Sequence, residues 1–138
     1  MQAESLIYTT LITTSVFLSM QDIKHKKVNL SLVLLFLGIC VYYGQKSDVS
    51  PCFIPALIFI FLGSLYYLIK KASCFGMADY LIIFGVSFIL PPDTWQYFLI
   101  SCGFIGCILG WIYKKDKRFP FVPAILLSFF IVEYFIRL

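Results

Sequence analysis

The chain has 138 residues, 61% of them hydrophobic and 13% charged, whereas a water-soluble domain carries about 45–50% apolar and roughly 25% charged residues. That imbalance excludes an ordinary soluble globule and leaves a membrane protein. The net charge of +4 does not point to nucleic acid, because the basic residues sit in short clusters between apolar runs instead of on one soluble face.

In chain order, apolar stretches run Leu6 to Met20, Leu30 to Tyr43, Phe53 to Ile69, Met77 to Leu90, Trp95 to Tyr113 and Phe121 to Ile136. A bilayer core about 30 Å thick takes roughly 20 apolar residues per helical crossing. The pattern therefore predicts an all-α, polytopic membrane protein of about six transmembrane helices, forming a single transmembrane domain over residues 1–138. Little sequence is left for a separate soluble domain. Gly44, Pro51 and the pair Pro91, Pro92 read as turn signals in short loops. The start Met1, Gln2, Ala3, Glu4 lacks the basic flank of a secretory signal, and the first positive cluster follows the apolar run, so the first span is expected to remain uncleaved.

Basic loops mark the cytoplasmic side, and the clusters alternate: Lys24, Lys26 and Lys27, then Lys70 and Lys71, then Lys114, Lys115, Lys117 and Arg118. The opposite side holds Lys46 and Arg137 beside the acids Glu4, Asp48, Asp93 and Glu133, which puts both termini outside.

Two acids do not fit loops. Tyr80 to Leu90 spans about 16 Å as a helix before Pro91 and Pro92 stop it, too short to cross. The fourth span is thus expected to begin near Cys74 or Phe75, with Asp79 about a turn inside the cytoplasmic boundary. Leu6 to Met20 spans about 22 Å, so the first helix should continue through Asp22 before the Lys24 to Lys27 cluster. An ionisable group within a span usually faces a bundle interior or a wet cavity and marks function. The plainer alternative is a pair of interfacial acids matched with neighbouring lysines. Two carboxylates brought together cannot both ionise cheaply, so one keeps a proton, and such a pair can activate water and protonate a leaving amine. Helix dipoles favour Asp22, near a helix C-terminus, as holder of that proton over Asp79, near an N-terminus.

Gly76, Met77, Ala78, Asp79 resembles the Gly-x-Gly-Asp signature of the prepilin and preflagellin peptidases, intramembrane aspartic proteases, with Asp22, Ile23, Lys24 at the position of their first catalytic aspartate. Pro120, Phe121, Val122, Pro123 looks like the Pro-Phe-Gly-Pro motif of that family. Order, spacing and topology agree across the six spans. The resemblance implies an aspartic endopeptidase with Asp22 and Asp79 as catalytic residues and Gly76, Ala78, Pro120, Phe121 and Pro123 as supporting positions. It implies no cofactor and no metal. Its substrates would be type IV pilin-like precursors, whose short basic leader is removed at the cytoplasmic face of the inner (cytoplasmic) membrane. Larger relatives carry an extra cytoplasmic region with paired cysteines and also methylate the product; no such region is found here, so methyltransferase activity is not expected. Departures are Ala78 for the second glycine, Val122 for the glycine of the third motif, and Val28, Asn29 where many members have Ile-Pro-Asn. Tyr80 and Leu81 also stand where a lysine is frequent.

Gly76, lacking a Cβ, would let the backbone turn tightly or approach a neighbour closely. Pro120 and Pro123 can also be read as ordinary helix starters. The cysteines Cys40, Cys52, Cys74, Cys102 and Cys107 form no C-x-x-C pair, and with His25 the only histidine they read as small packing residues rather than metal ligands. Gly106 and Gly110, with Gly103 nearby, suggest close helix packing. Tyr42, Tyr43, Tyr66, Tyr67, Trp95 and Trp111 suggest interfacial anchors. Two other classes fit the same acids: a small transporter using Asp22 and Asp79 as an ion or proton relay, and a noncatalytic pilus or secretion assembly protein.

Overall fold

A computed structural model describes residues 2–25, 27–48, 50–71, 76–114 and 120–137, and among these the chain is helical without strands. The elements are α1 (Gln2–His25), α2 (Leu30–Lys46), α3 (Ile54–Lys70), α4 (Met77–Val86), α5 (Trp95–Ile112) and α6 (Val122–Arg137). Each begins or ends where local chemistry dictates. Asn29 caps α2, its Oδ1 accepting from the Ser31 N–H at 3.0 Å, while its own N–H donates to Gln21 Oε1 at 3.1 Å and ties the end of α1 to the start of α2. Pro55 sits in the first turn of α3, where a missing N–H costs nothing. Lys71 ends that helix in the left-handed conformation, φ 52°.

The buried side chains of α1 follow helical spacing: Leu11, Thr14, Ser15, Leu18 and Asp22. Val33, Phe36 and Cys40 line one face of α2, Ile82, Ile83 and Val86 one face of α4, and Ile125 and Phe129 one face of α6. These stripes meet in a closed ring in which α1 packs on α2, α2 on α4, α4 on α6, and α6 on α1. Helices α1 and α4 occupy opposite corners and do not pack directly on each other among the described residues. Outside the ring, α3 lies on α4 and α5 on α6, and the two outer helices touch. Buried hydroxyls satisfy themselves: Ser15 Oγ donates to Leu11 O at 2.7 Å, and Ser128 Oγ to Ala124 O at 2.6 Å.

Apolar surface faces outward in quantity. Met77 is 77% exposed, Leu68 74% and Trp111 73%. By length and composition α5 is the one described helix able to cross a membrane, while Leu30–Lys46, Ile54–Lys70, Met77–Val86 and Val122–Phe135 are apolar but shorter.

Two expectations change. Among the described residues helix α4 begins at Met77; Cys74 and Phe75, near which its start was expected, lie outside them. Gly76 is extended, φ −77° and ψ 163°, so the helix starts at Met77 and has ten residues, about 15 Å. It also ends at Val86, before the prolines. Ser87 to Ile89 turn, yet Ile89 and Leu90 stay buried, which is why the apolar run continues past the helix. Gly44 is not a turn residue. It lies inside α2 and lets the backbone carbonyl of Phe88 press against the helix where any Cβ would collide with it. Glu133, inside the sixth apolar stretch and counted with the outward side, is buried in α6, close enough to Cys40 for its charge to act on the thiol.

Cys40, Cys52 and Cys102 are buried as packing residues, and Cys107 is exposed; Cys74 lies outside the described residues. Tyr42, Tyr66, Tyr67 and Trp111 are exposed.

Candidate active site

The last turn of α1 carries Asp22 on the helix's buried stripe, as the sequence pattern requires. At the same end of the ring, Asp79 is the third residue of α4. Each aspartate is 8% exposed. Although α1 and α4 stand at opposite corners, the two acids share this end of the ring, near enough for the charge of Asp22 to act on Asp79.

Backbone amides hold both groups. Asp79 Oδ2 accepts from the Gly76 N–H at 2.8 Å, and the Asp79 N–H donates to Gly76 O at 3.1 Å. The acid thereby reaches back to satisfy an orphan donor at the start of its own helix, as the acidic residue of a capping box does. Asp22 Oδ2 accepts from the Val122 N–H at 2.9 Å, and the Phe121 amide also bonds the carboxylate. Asp22, on α1, thus stands at the N-terminus of α6, where donors and dipole favour an anion, so the expectation that helix dipoles single out Asp22 over Asp79 as holder of the shared proton no longer follows. Among the described residues neither carboxylate takes a lysine as partner; Lys26, Lys115 and Lys117 lie outside those residues.

The supporting positions fall around these two contacts. Gly76 is exposed and caps α4, but its backbone conformation is open to any residue, and an added Cβ would meet nothing nearer than Asp79 Oδ2 at 3.7 Å. A tight turn is therefore not the reason for glycine here. Ala78 is half-buried and packs against the core. Pro120 and Pro123 are buried, flanking the two amides that address Asp22. The ring of Phe121 packs 5.9 Å from that of Phe59 on α3 and lies over Gly106 on α5, where a Cβ would stand 3.0 Å from Cε2. Gly106 accordingly accommodates a ring rather than a helix, while Gly103 and Gly110 face open space.

Glu133 is a buried acid that the sequence reading did not single out. Its signal was present: it follows Phe129 by four residues, on the buried stripe of α6. No group of three or more histidine, cysteine, aspartate or glutamate residues that could hold a metal occurs among the described residues.

The class defined so far is an apolar helical bundle that gathers two buried carboxylates at one end. A model of the type IV leader peptidase family matches residues 9–113. That is more than half of the chain, and the chain belongs to this family, whose members are membrane-associated peptidases. The matched interval contains Asp22 and Gly76 to Asp79 and ends before Pro120. No curated protein and no solved structure matches the chain.

Proposed function

We propose that the protein is an intramembrane aspartic endopeptidase that removes the short basic leader of type IV pilin-like precursors, with Asp22 and Asp79 as its catalytic pair. The observation that carries this reading is the convergence of the two acids, from separate helices, at one end of the ring. Each carboxylate is fixed through Oδ2. The other oxygen of each then addresses a shared water. One carboxylate accepts a proton from that water as it attacks the scissile carbonyl. The other, protonated, gives its proton to the departing amine.

The site is read at the cytoplasmic boundary of a six-span, multi-pass protein of the inner membrane with both termini outside. The outward apolar surface supports that placement, since exposed side chains such as Met77, Leu68 and Trp111 are costly in water and ordinary against lipid. The basic clusters beside α1 and α3 support the orientation.

Co-expression with a candidate pilin-like precursor tests the activity. Wild type shortens the precursor, and Asp22→Asn and Asp79→Asn do not, while both variants accumulate as folded protein. Cleavage that persists in either variant rejects the mechanism. Cation-coupled uptake without cleavage replaces it with the transporter reading.

A further inference from the structure

We infer that the first turn of α6 is the device that orients Asp22, with Phe121, Val122 and Gly106 as positioning residues; this rests on the reading of Asp22 as catalytic. Four observations combine. The segment Pro120, Phe121, Val122, Pro123 has N–H groups only at its two central residues, because proline has none. Both of those amides address the carboxylate of Asp22, Val122 at 2.9 Å. No side chain of the segment is needed for that bond, so valine serves at position 122 where a glycine would serve as well. The segment is held from behind by one ring, Phe121, seated between Phe59 of α3 and the bare backbone of Gly106 of α5.

The consequence is a chain of contact from the outer helices to the acid. Gly106 leaves room for the ring, the ring sets the start of α6, and the start of α6 sets which oxygen of Asp22 is occupied. Flanking prolines keep the donors at two and stiffen the backbone that carries them. A donor aimed at a carboxylate from a fixed helix start also restricts rotation of that side chain, which is what a reaction geometry requires.

Removal of the single Val122 N–H tests the inference. Val122→Pro does so at a position where proline suits a helix start. Replacing the amide N–H by an ester oxygen does so with less change of shape. Both are expected to lower kcat about 10- to 100-fold, the range for losing one hydrogen bond to a charged group. KM for the precursor should change less than about twofold, and Val122→Ala, which keeps the N–H, should lose less than either. Gly106→Val should lower kcat in the same way, with Phe121→Leu in the same chain restoring part of it; Gly110→Ala, facing open space, should match wild type.

Wild-type kcat in the ester variant, while Asp22→Asn remains inactive, overturns the inference and leaves the peptidase reading intact. Absence of any cleavage by wild type overturns the peptidase reading instead. The structural part is then decided by thermal unfolding: Asp22→Ala combined with the ester should lower Tm no further than the more damaging single change. Additive losses would mean that the two groups do not interact.

Discussion

Asp22 and Asp79 are held by the same kind of contact, a backbone N–H at a helix start, but over very different lengths of chain. Asp79 bonds Gly76, three residues away, within its own first turn. Asp22 bonds Val122, one hundred residues away, on a helix that only the complete ring brings near. One half of the site is therefore a property of a tetrapeptide and the other a property of the fold. Damage to packing should reach Asp22 first and leave the Asp79 cap in place.

Substitutions at remote contacts, local contacts and open positions sharpen that contrast. The largest stability loss is expected where α2 meets the backbone of Phe88. A valine at Gly44 collides with a carbonyl that has little freedom to move, at a cost of about 3 kcal/mol, the upper part of the range for overpacking, read as a fall in Tm. Asp22→Ala comes next. It leaves the buried Val122 N–H without its acceptor, a cost of about 1–3 kcal/mol. Asp79→Ala releases a donor on the exposed Gly76, which water can satisfy, and should cost about 0.5–1 kcal/mol, as for a lost helix cap. If chemical denaturation ranks the two alanine variants in the opposite order, the contrast between remote and local anchoring fails.

Gly76→Ala is expected to shift stability by no more than about 0.5 kcal/mol, because φ is −77° and the new Cβ has room. Any large loss of cleavage in that variant then reports close approach of substrate backbone instead of folding. The smallest effects belong to Gly103→Ala and Gly110→Ala. Each should raise stability by up to about 1 kcal/mol through helix propensity alone, since nothing lies within 4 Å of the added carbon.

The same division governs how much could be read without a structure. Apolar runs and their punctuation marked all six helices, and the extension of α1 through Asp22 followed from the length a crossing needs. Helix α4 was harder. Its apolar run covers both a ten-residue helix and a buried turn, and hydrophobicity alone cannot separate the two. Contacts between helices had no local signature. The Asp22 to Val122 bond, the seating of Phe121 on Gly106, and the pressure of Phe88 on Gly44 join segments far apart in sequence. Glu133 was counted by side of the membrane and lay within the sixth apolar stretch, while helical spacing from Phe129 was the signal that its side chain is buried.

The central claim is that two acids delivered by different helices act as one catalytic unit. Cleavage of a pilin-like precursor by purified wild type, Asp22→Asn and Asp79→Asn in proteoliposomes tests it most directly. Wild type should process the precursor, and each variant should lose more than about a thousandfold in kcat while keeping its helical content, as when one member of a catalytic unit is removed. Either variant retaining a tenth of the wild-type rate would contradict the account.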